Sequence, residues 1–291
     1  MWQERQMLME MRVRHIALAA CCFFASAKAH ALGVSPATTF MEGVAPGELI
    51  DTKQDLIITN DADTDLKVVI ETIKPMMPGH ESLKGFRILP DPSFVYADKQ
   101  KMTIPPKSVG KARVFVNVPN EEKYYNQHWA VSIRVRTVNF EFVRMAVAPF
   151  FIMETLPKAD IKEAPEGSFG LVPTLLEVKR AEARSKKTAF TLYNNTEQEH
   201  KYSVKSYISD MIGTGYRLYE TTWYNWVKDL RWVRPAQEEV TVGAGQKKEV
   251  ELIFDVPDSQ PEIEDRKGWE ALVNVEDENK ERRFIRVRIN Q

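Results

Sequence analysis

Cysteine is almost missing from this 291-residue chain, and its two copies, Cys21 and Cys22, sit side by side in an apolar N-terminal stretch. The rest of the chain therefore has no disulfide and no thiolate for catalysis or metal binding, and its stability must come from apolar cores. A hydrophobic content of 43% supplies the material for them. Histidine is scarce as well: His80, His128 and His200 pair with no second His or Cys at metal-ligand spacing, and they read as loop or surface residues. Charge of one sign is lacking. Forty basic and 41 acidic side chains leave a net charge of -1, so no broad positive field gathers nucleic acid. Gly-x-Ser-x-Gly elbows, phosphate loops and dinucleotide fingerprints are missing too. These absences point away from an enzyme and from any cofactor.

Long apolar runs are confined to the N-terminus. Arg12, Arg14 and His15 form a basic head, Ile16 to Ala27 an apolar run, and Ala27-Lys28-Ala29 or Ala29-His30-Ala31 a small-x-small cleavage site. Residues 1–31 are thus expected to be a cleaved export signal, with the remainder in the bacterial periplasm. Leu18-Ala19-Ala20-Cys21 also matches a lipobox, but Cys22-Phe23-Phe24 continues the apolar run where a lipoprotein turns polar. No later run approaches the roughly 18 apolar residues of a membrane span.

What is present is a repeat. Leu56 to Ile70 aligns without a gap on Phe190 to Val204, and each copy reads as strand, polar turn, strand, with Leu56, Ile58, Leu66, Val68 and Ile70 alternating at period two. Gly33-Val34-Ser35-Pro36 is mirrored by Gly170-Leu171-Val172-Pro173, Val114 to Pro119 by Leu252 to Pro257, and Trp129 to Val135 by Trp269 to Val275. The offsets stay between 134 and 140 residues, so a whole domain is duplicated. Short alternating strands joined by Pro, Gly and Asn turns predict an all-β protein of two tandem immunoglobulin-like β-sandwich domains, over 32–157 and 170–291, with a linker at 158–169. Phe140 to Val147 is read as the strand closing the first sheet, and Trp129 and Trp269 as core residues.

The opening Val-x-Pro strand, Pro46-Gly47 before the hairpin, Asn60 at the strand end, and Val118-Pro119 leading to Trp129 resemble the two-domain periplasmic chaperones of chaperone-usher pili. The resemblance covers most of Gly33 to Asn290. It implies a non-enzymatic protein that binds envelope or fibre subunit proteins by lending a strand at a sheet edge. It also implies a basic pair in the interdomain cleft for a subunit's terminal carboxylate. Arg144 is the last-strand candidate for that pair, while the first strand, Gly33 to Met41, has no basic residue.

Three further features remain. Asp61-x-Asp63-x-Asp65 opens like a calcium loop, but Leu66 and Thr72 stand where that loop needs glycine and glutamate, so it reads as a turn. Arg134 with Arg136, and Arg286 with Arg288, each place two guanidiniums on one strand face, read chiefly as solvent-facing edge protection and secondarily as an anion site. The aromatic run 216–232 sets Tyr219, Trp223, Trp226, Val227 and Leu230 at helical spacing, so a short helix on the second sandwich is expected. Packing explains such a run most simply. Its alternative is a peptide- or glycan-stacking surface of Tyr219, Trp223, Tyr224 and Trp226 on a structural or adhesive protein.

Overall fold

The computed structural model describes residues 32–75, 85–138, 145–184, 187–208, 223–257 and 266–291. The first domain contains strands β1 (Leu32–Ser35), β2 (Thr38–Val44), β3 (Leu49–Asn60), β4 (Leu66–Ile73), β5 (Arg87–Ile88), β6 (Val95–Ala97), β7 (Lys101–Ile104), β8 (Ser108–Asn117), β9 (His128–Thr137), β10 (Ala146–Val147) and β11 (Phe150–Thr155). The second contains β12 (Phe169–Val172), β13 (Leu175–Lys179), β14 (Thr188–Asn194), β15 (His200–Tyr207), β16 (Tyr224–Trp226), β17 (Val233–Pro235), β18 (Glu239–Val242), β19 (Lys247–Phe254), β20 (Gly268–Glu276) and β21 (Arg282–Asn290).

Each domain is a sandwich. Sheet β1-β3-β8-β6 faces β2-β11-β9-β4-β7 in the first, and β12-β14-β19-β17 faces β13-β21-β20-β15-β18 in the second. The opening strand of each domain serves both sheets. β1 pairs antiparallel with β3, the chain turns at a cis Ser35-Pro36 bond, and β2 then pairs parallel with β11. β12 and β13 repeat this around a cis Val172-Pro173 bond. The fold is therefore the expected pair of related all-β sandwiches.

The repeated hairpins share one fastening. Asn60 Nδ2 donates to the carbonyls of Thr64 (2.9 Å), Ile104 (3.0 Å) and Pro105 (2.9 Å), and its Oδ1 accepts from the Ala62 amide. Asn194 Nδ2 donates to Gln198 (2.7 Å), Val242 (2.9 Å) and Gly243 (3.0 Å), and its Oδ1 accepts from Thr196. An amide side chain is needed because the site asks for a donor and an acceptor at once. Asp61 to Asp65 is thus the turn expected, and no cluster of metal ligands occurs among the described residues.

The cores follow the period-two pattern. Leu56, Ile58, Val68, Val114, Trp129, Val131 and Phe151 fill the first; Phe190, Leu192, Val204, Leu252, Trp269, Val273 and Ile285 fill the second. Trp129 and Trp269 are fully buried, as expected. Two expectations need correction. The closing strand of the first domain is β11, beyond Pro149, because Phe150 to Thr155 fits between β2 and β9; of 140–147, β10 is a two-residue bridge to β9, and 140–144 lie outside the described residues. The helix expected across Tyr219 to Leu230 is not formed over its described part, where Tyr224–Trp226 is a strand parallel to β20. Sheet pairing with Gly268 to Glu270 there overrides helical spacing.

Candidate protein-binding surfaces

Strands β9, β20 and β21 are buried on nearly every residue, whereas a two-layer sandwich buries only every second one. The reason is a seam between the domains. The outer faces of the two sheets that contain these strands pack together, and Phe86, Ala130 and Ile152 of the first domain form one apolar cluster with Tyr207, Leu272 and Phe284 of the second. His128 stacks on Phe284 with ring centroids 4.0 Å apart. It is buried, not the surface residue expected, and burial holds its pKa down to about 4 against the pull of Glu154. His200 is partly buried beside Glu278, and His80 lies outside the described residues.

A buried ionic network crosses the seam. Arg286 Nε and Nη2 each donate to Glu154 at 2.7 Å, and its Nη1 donates to Glu270 at 2.7 Å. Arg288 Nε donates to Glu270 at 2.9 Å, and its Nη2 donates to both oxygens of Glu42. Three carboxylates thus meet two guanidiniums. Burial alone would push the Glu154 carboxyl up, but Arg286 beside it holds it below the ordinary range; at the rim, burial outweighs the arginines and raises Glu42. Arg286 and Arg288 are therefore not solvent-facing edge charges. Glu270, across from Arg288 on the paired strand β20, and Glu42 and Glu154 of the first domain give the alternating arginines of β21 their counter-charges, and sequence reasoning missed the latter two because they come from distant strands. Arg134 and Arg136 do stay half-exposed, sharing Glu71.

The connection between domains is tied to both. Asn126 Oδ1 accepts from Lys158 N and Thr174 N. Arg87 and Arg283, one from each domain, both donate to the Glu166 carbonyl.

The aromatic candidates separate. Trp226 packs against the seam cluster with Phe40 and Phe150. The Tyr224 hydroxyl donates to Asn290 Oδ1 at 2.9 Å, and its ring lies 4.6 Å from the Arg288 guanidinium carbon. Trp223 is 60% exposed with the Lys267 ammonium 5.8 Å from its ring. Tyr219 and Arg144 lie outside the described residues.

One stretch of the same sheet of the first domain is left uncovered by the second. A groove of about 530 Å³ runs along β4 and β7, lined by Lys67, Val69, Lys101, Thr103, Arg136 and Val138 among others. Among the described residues β7 pairs only with β4 and ends the sheet. The short β7 segment, Lys101-Met102-Thr103-Ile104, carried no signal in sequence that its outer edge is open.

No helix among the described residues is long and apolar enough to cross a membrane. No family model and no curated protein sequence matches the chain. Solved structures do match over about nine-tenths of it, among them pilus chaperones of the chaperone-usher type, the family the sequence resembles. The chaperone–tip adhesion subunit pre-assembly complex of archaic Csu pili from Acinetobacter baumannii is similar at 10% identity and a TM-score of 0.30, covering 90% of this chain and 100% of that one. The SafB chaperone solved with the SafA pilin from Salmonella enterica is similar at 8% identity and a TM-score of 0.32, covering 91% and 99%. A protein of unknown function from Porphyromonas gingivalis is similar at 14% identity and a TM-score of 0.32, covering 89% and 99%.

Proposed function

We propose that this is an exported, non-catalytic protein-binding module of the bacterial periplasm that holds an extended segment of an envelope or fibre subunit protein at a sheet edge. The observation that carries this reading is the open edge of β7 beside an uncovered groove, on the sheet whose remaining outer face is taken up by the seam. An unpaired edge offers a row of backbone donors and acceptors to an incoming strand, and alternate side chains of that strand fall into the groove. The test is affinity capture of the tagged full-length protein from the envelope of the cell that makes it, with mass spectrometry of what is retained. A stoichiometric envelope or fibre subunit is expected; recovery of no stoichiometric protein overturns the proposal.

A second reading rests on Trp223, a large exposed ring beside a cation. Under it, the protein is a structural or adhesive module on which a peptide or glycan stacks. Glycan-array binding abolished by Trp223→Ala would favour it.

A further inference from the structure

We infer that the β7 groove takes an acidic, extended partner segment, a statement that rests on the protein-binding reading and gives its partner a chemistry. The geometry starts with side-chain alternation. Met102 and Ile104 point into the sandwich, where both approach Gly110 of the opposite sheet. Lys101 and Thr103 therefore point to the outer face, as do Lys67 and Val69 of β4, with which they pair in register as Thr103 with Lys67 and Lys101 with Val69.

That outer face has an apolar floor and a basic frame. Val138 is 51% exposed and Val69 is half-buried beside it, a small apolar patch that an incoming side chain would cover. Lys67, Lys101 and Arg136 line the groove, and no carboxylate lines it among the described residues. Arg136 shares its acidic partner, Glu71, with Arg134, at 2.9 and 2.8 Å. Positive charge is therefore in excess here, on a chain whose formal net charge is -1.

The same charges choose between occupants. Lysines on an open edge normally repel a second edge of their own kind, and a second copy of this chain would set Lys101 and Lys67 against themselves. A strand bearing glutamate or aspartate on one face meets complementary charge instead. β7 is four residues long, roughly 13 Å, so it pairs with a core of about four or five partner residues. Acidic side chains at alternate positions of that segment, on the face toward Lys67, Lys101 and Arg136, satisfy the groove.

Fluorescence anisotropy on the full-length protein tests this. The probe is a labelled, end-capped nine-residue peptide alternating valine with glutamate, compared with its lysine counterpart and with a version of the glutamate peptide N-methylated at alternate backbone positions. The glutamate peptide is expected to bind, more weakly as salt rises; the lysine and N-methylated peptides are not. Lys67→Glu with Lys101→Glu should weaken binding by at least about tenfold, and the milder pair Lys67→Gln with Lys101→Gln should weaken it less, each with an unchanged circular dichroism spectrum and melting temperature. Equal binding of the two charge types, full binding of the N-methylated peptide, or indifference to both double substitutions overturns the inference. So does a dimer in sedimentation that the glutamate double variant abolishes, since the edge would then serve a second copy. Envelope capture separates the two proposals: a partner retained equally by the Lys67→Glu, Lys101→Glu protein removes this inference and leaves the protein-binding reading in place.

Discussion

Arg286, in the middle of the last strand, grips Glu154 of the first domain through two parallel hydrogen bonds of 2.7 Å, with its guanidinium side chain only 1% exposed. Two fixed prongs in a dry environment set the register of one domain on the other, because a slip in either direction would strand a buried charge.

Removing that guanidinium should cost far more than the pair contributes. Arg286→Met leaves Glu154 and Glu270 buried without their main counter-charge, and a loss of about 3–5 kcal/mol is expected. Urea unfolding should show a lower midpoint and a split into two transitions as the domains uncouple. Adding Glu154→Gln and Glu270→Gln should restore much of the loss. An unchanged midpoint for the single variant contradicts the role assigned to the seam.

His128 should make the protein acid-sensitive. Its folded pKa, about 4, lies below the ordinary 6.5, so the unfolded chain takes up the proton first. The associated stability is complete above pH 6.5 and is lost as pH falls toward 4, by about 3 kcal/mol. Glu154, held low by Arg286 against burial, adds a loss below the ordinary glutamate pKa of 4.5, while Glu42, raised by burial, works in the opposite direction. His128→Gln should flatten the pH dependence of the unfolding midpoint between 6.5 and 4 and leave the slope below it.

Asn60 and Asn194 should respond alike to substitution. Alanine at either removes every hydrogen bond that the side-chain amide donates and accepts, at a cost of about 2–4 kcal/mol. Aspartate should be worse than alanine at neutral pH, since it turns an anion toward three carbonyl oxygens. Differential scanning calorimetry distinguishes the two; an aspartate variant as stable as wild type would show that the donated bonds contribute nothing.

Gly167 should resist substitution even though it lies in a loop. Its φ of +111° is open to glycine alone, and a Cβ there would run into the guanidiniums of Arg87 and Arg283. Gly167→Ala is expected to cost about 1–3 kcal/mol and to raise protease cleavage in the connection between domains. Equal cleavage rates would mean that the connection contributes no restraint.

Much of the fold was legible in the sequence because period-two alternation and turn chemistry are local. The Asn60 and Asn194 hairpins and the buried Trp129 and Trp269 follow from patterns a few residues long, repeated at offsets of 134 to 140 residues. The aromatic run misled because Tyr224 to Trp226 is short, and helical spacing in a short stretch loses to an available strand partner such as Gly268 to Glu270.

The alternating arginines of β21 mark the boundary between what the sequence determined and what it did not. By itself the sequence determined that the chain makes two related β-sandwiches, and that Arg286 and Arg288 share one face of a strand. Whether that face meets water or protein depends on how the second sheet of one domain lies against that of the other, which brings Glu42 and Glu154 of the first domain to arginines that already face Glu270 across the strand pair. The same packing buries His128 and leaves Lys67, Val69, Lys101 and Val138 uncovered at the open edge. Burial of a sheet's outer face is a property of the assembled pair of domains, so only the tertiary structure decided which charges are held inside and which stay exposed.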